Sequence, residues 1–188
     1  MFIDVFGTLI FKIVPNSYLK TRKPQPIDKS FGYMEFEAQK EAMYGILYMR
    51  EVHGVDLYKT IIKTDYIDDM GTYYFGRGII TLRRDLPAEE VFKTIVHELF
   101  HALDDQYGII SDEIIDDAKI LLGYDGKKNE KKFEKMLLSF MLKDDAKDNK
   151  EIFAYSMENY VVNDLKKEAK KFIIKVAEFT EYERNNKK

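Results

Sequence analysis

Two histidines and a glutamate stand together in the segment His97-Glu98-Leu99-Phe100-His101. Residues four apart lie on the same face of an α-helix, so a helix here would direct both imidazoles to one point. Zinc accepts imidazole nitrogens at about 2.0–2.1 Å. Glu98, beside the first histidine, could hydrogen-bond a water molecule at the metal and take its proton. The segment therefore predicts a zinc site with an adjacent general base.

The sequence around this segment predicts a mostly buried helix. Its apolar residues are Val91, Ile95, Val96, Leu99, Phe100, Ala102 and Leu103. Burying two histidines and a glutamate in such a helix costs free energy unless something satisfies their polar atoms. The chain has 3 histidines, and two of them fall here. The alternative interpretation is that both are ordinary core or surface histidines with hydrogen-bond partners.

A catalytic zinc site needs a third protein ligand and one open position. Glu151 opens a predicted helix, and Glu158 lies two turns along the same face as its rival. His53, the remaining histidine, lies at the predicted end of a helix, where a solvated histidine is the more common case. Asp104 and Asp105 are expected to be partners of a ligand histidine or solvated helix-end charges.

The segment from His97 to Asp105 reads His-Glu-Leu-Phe-His-Ala-Leu-Asp-Asp. It resembles the HExxHAxDD-like signature of the anthrax lethal factor-like zinc metallopeptidases, which include the Pro-Pro endopeptidases. The segment Glu151-Ile152-Phe153-Ala154 resembles a second motif of that family, at a similar distance along the chain. The resemblance implies that Glu151, rather than Glu158, is the third zinc ligand.

The chain departs from the family at two positions. Four residues after the ligand glutamate the family usually has a second glutamate, and here Tyr155 stands there. Seven residues before that ligand the family has a tyrosine that steadies the oxyanion, and here Asp144 stands there. Tyr155, one turn from Glu151, is our candidate for that role, with core packing as its alternative. Tyr107 and Tyr160 are weaker candidates.

Upstream of the histidine helix, residues 74–82 predict a strand. Its two glycines suggest a bulge or a close approach of another backbone. The resemblance implies that an edge strand lies along the cleft, so a protein or peptide substrate is expected to bind extended along the strand Gly76–Leu82. The alternative is an ordinary internal strand.

The composition of the chain limits which domain organisation, partners and location can be expected. A chain of 188 residues that is 45% hydrophobic predicts one folded domain. A net charge of −3 gives no basis for a nucleic-acid partner, and the lack of cysteine excludes disulfides and cysteine ligands. No segment approaches the ~20 apolar residues of a membrane span. The first residues lack the features of a secretory signal, so we expect a soluble, cytoplasmic monomer, with secretion by another route left open.

Together these observations predict an α+β fold in which a small twisted sheet packs on the HExxH helix. We expect a single zincin-like domain over 1–188, strand-rich over 1–85 and helical over 86–188. The expected function is that of a gluzincin-type zinc endopeptidase, with Zn²⁺ held by His97, His101 and Glu151 and with Glu98 as the base. The alternative is a weak or inactive zincin-fold protein that acts as a protein-binding effector.

Overall fold

The computed structural model describes residues 27–52, 60–126, 129–138 and 148–162. These residues form a mixed α+β fold, as predicted. Its helices are a 3-10 helix at Lys29–Tyr33 and the α-helices α1 (Phe36–Val52), α2 (Ala88–Tyr107), α3 (Asp112–Leu121), α4 (Glu130–Leu137) and α5 (Asn149–Tyr160). Its strands are β1 (Ile61–Asp65), β2 (Gly71–Tyr74) and β3 (Ile79–Arg83). Among these helices, none has the length and apolar character needed to cross a membrane.

The three strands form one small sheet in the order β1-β3-β2. β1 runs parallel to β3, with Ile62 opposite Ile80, and β2 runs antiparallel to it, with Tyr73 opposite Ile80. Ile27 forms a bridge to Ile62 on the outer side of β1. β2 lies at the other edge of the sheet and packs against α2.

The expected edge strand over Gly76–Leu82 is wrong. Residues 75–78 form the turn between β2 and β3, and β3 begins only at Ile79. Gly76 and Gly78 adopt left-handed backbone angles, with φ of 69° and 63°, which side-chain-bearing residues rarely adopt. β3 is also hydrogen-bonded on both sides, so a peptide cannot pair along it. β2 is the strand at the edge beside α2.

Helix α2 lies at the centre of the described fold, because α1, α5, β2 and β3 all pack against it. Its apolar residues are buried on several sides, as the sequence predicts. Gly45 of α1 allows one of these contacts. A Cβ atom there would lie 2.5 Å from Cγ2 of Ile95, so only glycine permits this distance between α1 and α2. The core thus fixes the helix that carries both histidines.

The ends of the helices follow local signals. α2 begins after Pro87 and ends at Gly108, whose φ of 58° is left-handed and whose N–H donates to the carbonyl of Asp104. α5 begins after Asp148, whose carboxylate accepts a hydrogen bond from the N–H of Lys150. Residues 1–26 of the predicted strand-rich part, His53 and Asp144 lie outside the described residues.

Candidate metal centre

The imidazoles of His97 and His101 meet the carboxylate of Glu151 at one point. Nε2 of His97 lies 3.1 Å from Nε2 of His101 and 3.2 Å from Oε2 of Glu151. Nε2 of His101 lies 3.1 Å from Oε1 of Glu151. One donor atom from each side chain lies within 4.8 Å of the other two. The structure therefore brings together the three residues that were expected to be ligands.

The donor types and their spacing fit a zinc ion. Donors about 2.0–2.1 Å from a tetrahedral zinc would lie about 3.3–3.4 Å from each other, close to the distances of 3.1–3.2 Å here. Two neutral imidazole nitrogens and a carboxylate oxygen all present lone pairs, so they cannot approach this closely without a proton or a cation among them. Two histidines and one glutamate also leave a fourth position open for substrate or water.

Glu151 reaches the histidines from the first turn of α5. The cap at Asp148 fixes the start of this helix two residues upstream of Lys150, and the N-terminal dipole favours a negative charge at this position. Burial raises the pKa of Glu151, but hydrogen bonds from His101 and His97 outweigh it and hold the pKa well below its usual range. These hydrogen bonds thus favour the carboxylate form of Glu151.

Glu158, the rival third ligand, holds the other nitrogen of His97. Its Oε2 lies 3.0 Å from Nδ1 of His97, and its Oε1 lies 3.7 Å from Nζ of Lys93. In neutral His97, an Nδ1–H that donates to Glu158 leaves a lone pair on Nε2, which is the form a metal requires. The sequence did not predict this role, although Glu151 and Glu158 lie on the same face of α5, where both can reach His97.

The charge of His97 depends on its two carboxylate neighbours. Burial lowers the pKa of this imidazole, but hydrogen bonds to Glu151 and Glu158 outweigh burial and raise the pKa to about 10. In the metal-free protein the protonated form of His97 is therefore favoured at neutral pH. Nδ1 of His101, by contrast, has no hydrogen-bond partner among the described residues.

Glu98 lies on α2 between the two histidines in sequence, and its side chain faces β2. It is 6% exposed. Burial raises its pKa above the ordinary value, while the charges of His97 and His101 partly offset this rise. The backbone N–H of Tyr73 donates to its carboxylate. Gly71 leaves the space for the side chain of Glu98, since a Cβ atom at position 71 would lie 3.0 Å from Oε1 of Glu98 and 2.6 Å from Cγ2 of Thr94.

Asp105 fixes the turn between β2 and β3 to α2. Its Oδ2 accepts hydrogen bonds from the hydroxyl of Tyr73 at 2.7 Å and from the N–H of Gly76 at 2.9 Å. Burial and this hydrogen bond raise the pKa of Tyr73. Asp105 is thus neither a metal ligand nor a hydrogen-bond partner of a ligand histidine. Asp104 accepts a hydrogen bond from the N–H of Ile110, just beyond the end of α2.

The turn that Asp105 holds places Phe75 beside the histidines. The ring centroid of Phe75 lies 5.6 Å from that of His101 and 5.1 Å from that of Tyr73, in edge-to-face contacts. Nζ of Lys150 lies 3.8 Å from the centroid of Phe75 on another side. One wall of the site is therefore aromatic, and a cation borders it.

Tyr155 lies on α5 one turn after Glu151 and is half-buried. Glu151 and Glu158 both contact His97, so the face of α5 between them, where Tyr155 lies, is turned towards α2. Tyr160 and Tyr107 pack against the core at the ends of their helices. Of the three candidate tyrosines, Tyr155 shares the helix face that carries Glu151 and Glu158.

The site as a whole joins three side chains that could hold a metal ion to a buried carboxylate with a raised pKa. This combination can hold a divalent cation and move a proton beside it. Comparison of the chain with protein-family models, curated proteins and solved structures finds no match.

Proposed function

We propose that this protein is a zinc-dependent endopeptidase that hydrolyses peptide bonds in a protein substrate. The observation that carries the proposal is the convergence of His97, His101 and Glu151, with donor atoms 3.1–3.2 Å apart. The same observation supports a place in the anthrax lethal factor-like family, with a zincin-like arrangement of the sheet and α2.

A zinc ion held by these three residues would polarise a substrate carbonyl and lower the pKa of water towards 7. Glu98 supplies the base. Its carboxylate accepts a proton from the attacking water and passes it to the nitrogen of the leaving amine. The raised pKa supports this role, because a carboxylate close in pKa to the groups it serves can both take and return a proton.

Tyr155 is our candidate to steady the oxyanion. A hydroxyl donor on the same face of α5 as Glu151 would hydrogen-bond the oxygen on which negative charge develops. Glu158 positions His97 through Nδ1 and does not touch substrate. In this arrangement α2 carries the base and two ligands, and α5 carries the third ligand and the oxyanion donor.

β2 is the strand to which an extended peptide would add. The N–H of Tyr73 points to Glu98, so the outer edge of β2 borders the base. The outer side of β1 is already occupied by Ile27 and by the N–H of Asp28, which donates to the carbonyl of Ile62. Pairing with the outward main-chain groups of β2 other than the N–H of Tyr73, which donates to Glu98, would align the scissile bond with the site, and side-chain pockets would select the sequence.

The test compares wild-type protein with Glu98→Gln on a peptide library derived from whole-proteome digests. We expect about one zinc per chain in both proteins, as measured by elemental analysis. Cleavage by Glu98→Gln should fall by about 100- to 10,000-fold, the usual contribution of a general base. Equal cleavage by the two proteins would refute the mechanism.

A zinc-loaded wild-type protein that cleaves nothing in the library would instead favour the non-catalytic alternative, a binding effector with the same fold. Less than about half a zinc per chain would count against both. Glu89→Gln is the matched control, because Glu89 is exposed in the first turn of the same helix and loses the same charge.

A further inference from the structure

Lys150 is a cation for which the described residues supply no anionic partner. Its backbone N–H is bonded to Asp148, and its ammonium contacts the ring of Phe75, with Nζ 3.8 Å from the ring centroid. No described carboxylate forms an ion pair with it. Its neighbour Glu151 is bonded to His97 and His101 instead. Among the described residues, this ammonium therefore has an aromatic contact and no carboxylate partner.

Hydrogen bonds hold the turn that forms the surface beside this ammonium. Asp105 bonds the N–H of Gly76 and the hydroxyl of Tyr73, which hold the turn on either side of Phe75. The ring of Phe75 then packs on His101. Phe75 is 40% exposed, although it touches both a metal-ligating candidate and a cation. An exposed aromatic ring with an ammonium on its face makes a small amphipathic surface beside the metal centre.

The charges of the site differ sharply between its two sides. On the side of Glu158, Nζ of Lys93 lies 3.7 Å from the carboxylate of Glu158 and 3.8 Å from that of Glu90. Two carboxylates therefore share the charge of this lysine. On the side of Phe75, the ammonium of Lys150 lies on the ring, and the exposed Arg77 belongs to the same turn as Phe75. A negatively charged group of a substrate bound at the metal would therefore be drawn to this second side.

We propose that Lys150 and Phe75 form a subsite that binds a carboxylate of the substrate close to the scissile bond. This inference rests on the proposed peptidase function and names its specificity. The carboxylate can belong to an aspartate or glutamate side chain, or to the C-terminus of a peptide. In both cases the ammonium of Lys150 pairs with the carboxylate, and the ring of Phe75 covers the carbon atoms that carry it.

The direct test measures binding and needs no turnover. The probes are alkyl hydroxamates, which ligate zinc, in pairs that end in either a carboxylate or a carboxamide of the same chain length. Zinc-loaded wild-type protein should bind the best carboxylate probe about three- to tenfold more tightly than its carboxamide partner. Lys150→Met should abolish this preference, and Lys150→Glu should reverse it.

Lys132→Met is the matched control. It removes the same charge from an exposed position on α4 and should keep the preference of the wild type. If the hydroxamates bind without a preference, or if the preference survives Lys150→Met, the subsite is refuted while the zinc site stands. If no hydroxamate binds the zinc-treated protein, the metal centre is refuted, and the subsite with it.

Peptides then separate the two sources of the carboxylate. Peptides with acetylated and amidated ends are compared with the same peptides carrying a free C-terminus, and each acidic residue is replaced by its amide. A side-chain subsite predicts a rise in KM on amide replacement, and a terminal subsite predicts a rise in KM on C-terminal amidation. Lys150→Met should remove whichever effect is found, whereas kcat values that change with KM unaltered would contradict a binding role.

Discussion

His97 makes contacts through both ring nitrogens. These contacts define the orientation of its ring more tightly than that of any neighbouring side chain. Nδ1 lies 3.0 Å from Glu158, so Nε2 is the nitrogen that remains for a metal. Spacing along the sequence could not separate Glu151 from Glu158, because both lie on one face of α5. The position of α5 against α2 decides between them. It puts Glu151 at Nε2 and Glu158 at Nδ1 of the same ring.

Replacement of Glu158 by glutamine should weaken zinc binding about 10- to 100-fold, the usual effect of removing a carboxylate that holds a ligand histidine. The amide can still accept from Nδ1 but no longer makes the imidazole more basic. Competition with a chromophoric chelator measures the change. Glu89→Gln serves as control, and a Kd within about twofold of wild type would show that Glu158 does not position His97.

Zinc binding should release a proton from His97. In the metal-free protein burial lowers the pKa of His97, but its carboxylate partners raise it to about 10, so the ring is protonated at neutral pH and must lose that proton to bind metal. The apparent Kd for zinc should therefore fall about tenfold per pH unit between about pH 7 and 9. Titration calorimetry in two buffers of different ionisation enthalpy measures the release. A Kd that does not change with pH would contradict the raised pKa.

At the scale of elements, the helices could be predicted and the strands only in part. The apolar residues around His97 predict the buried helix that the structure shows as α2. The sequence Asp148-Asn149-Lys150-Glu151 has the pattern of a capping box, which would have placed Glu151 in the first turn of α5. Residues 74–82 predict one strand, because alternation cannot distinguish a strand from a hairpin whose turn holds Gly76 and Gly78.

Gly71→Ala should disturb the position of Glu98 and leave metal binding unchanged. The new Cβ would lie 2.6 Å from Cγ2 of Thr94 and 3.0 Å from Oε1 of Glu98, so β2 or Glu98 must shift. We expect peptide cleavage to fall at least about tenfold, unfolding free energy to fall by about 1–3 kcal/mol and zinc stoichiometry to be unchanged. Activity, chemical denaturation and elemental analysis measure the three effects.

Gly32→Ala is the matched control for this variant. No atom lies within 4 Å of a Cβ built at Gly32, so it should leave both stability and cleavage close to wild type. If Gly71→Ala cleaves as well as Gly32→Ala, the close approach of β2 does not hold the base in place.

At the scale of the whole molecule, the site depends on contacts between distant parts of the chain. His97 and His101 could be found from a local pattern, because one helix carries both. The contact of Phe75 with His101 and the bonds of Asp105 to the hairpin depend on how the sheet packs on α2. Local periodicity carries no information on that packing, so the aromatic wall and its neighbour Lys150 could not be predicted from the sequence.

Removal of zinc should lower the thermal stability of the whole fold. The ligands come from α2 and α5, and an unfolded chain does not bring them together, so zinc binds the native state and stabilises it by mass action. At free zinc about 1,000-fold above Kd this contribution is about 4 kcal/mol, or about 8–16 °C in Tm for a chain of this size. The Tm difference should widen as pH rises from about 6 to 8, because protons compete less well for His97.

Two variants separate this contribution from that of the metal-free fold. Glu98→Gln keeps all three ligands, so its Tm should still depend on zinc. His101→Ala lacks one ligand, so zinc and a chelator should give the same Tm. Calorimetric scans with and without chelator measure both differences. A wild-type Tm that does not respond to zinc would mean that α2 and α5 are held together without a metal, and that the convergence of His97, His101 and Glu151 is maintained by the proton on His97 alone.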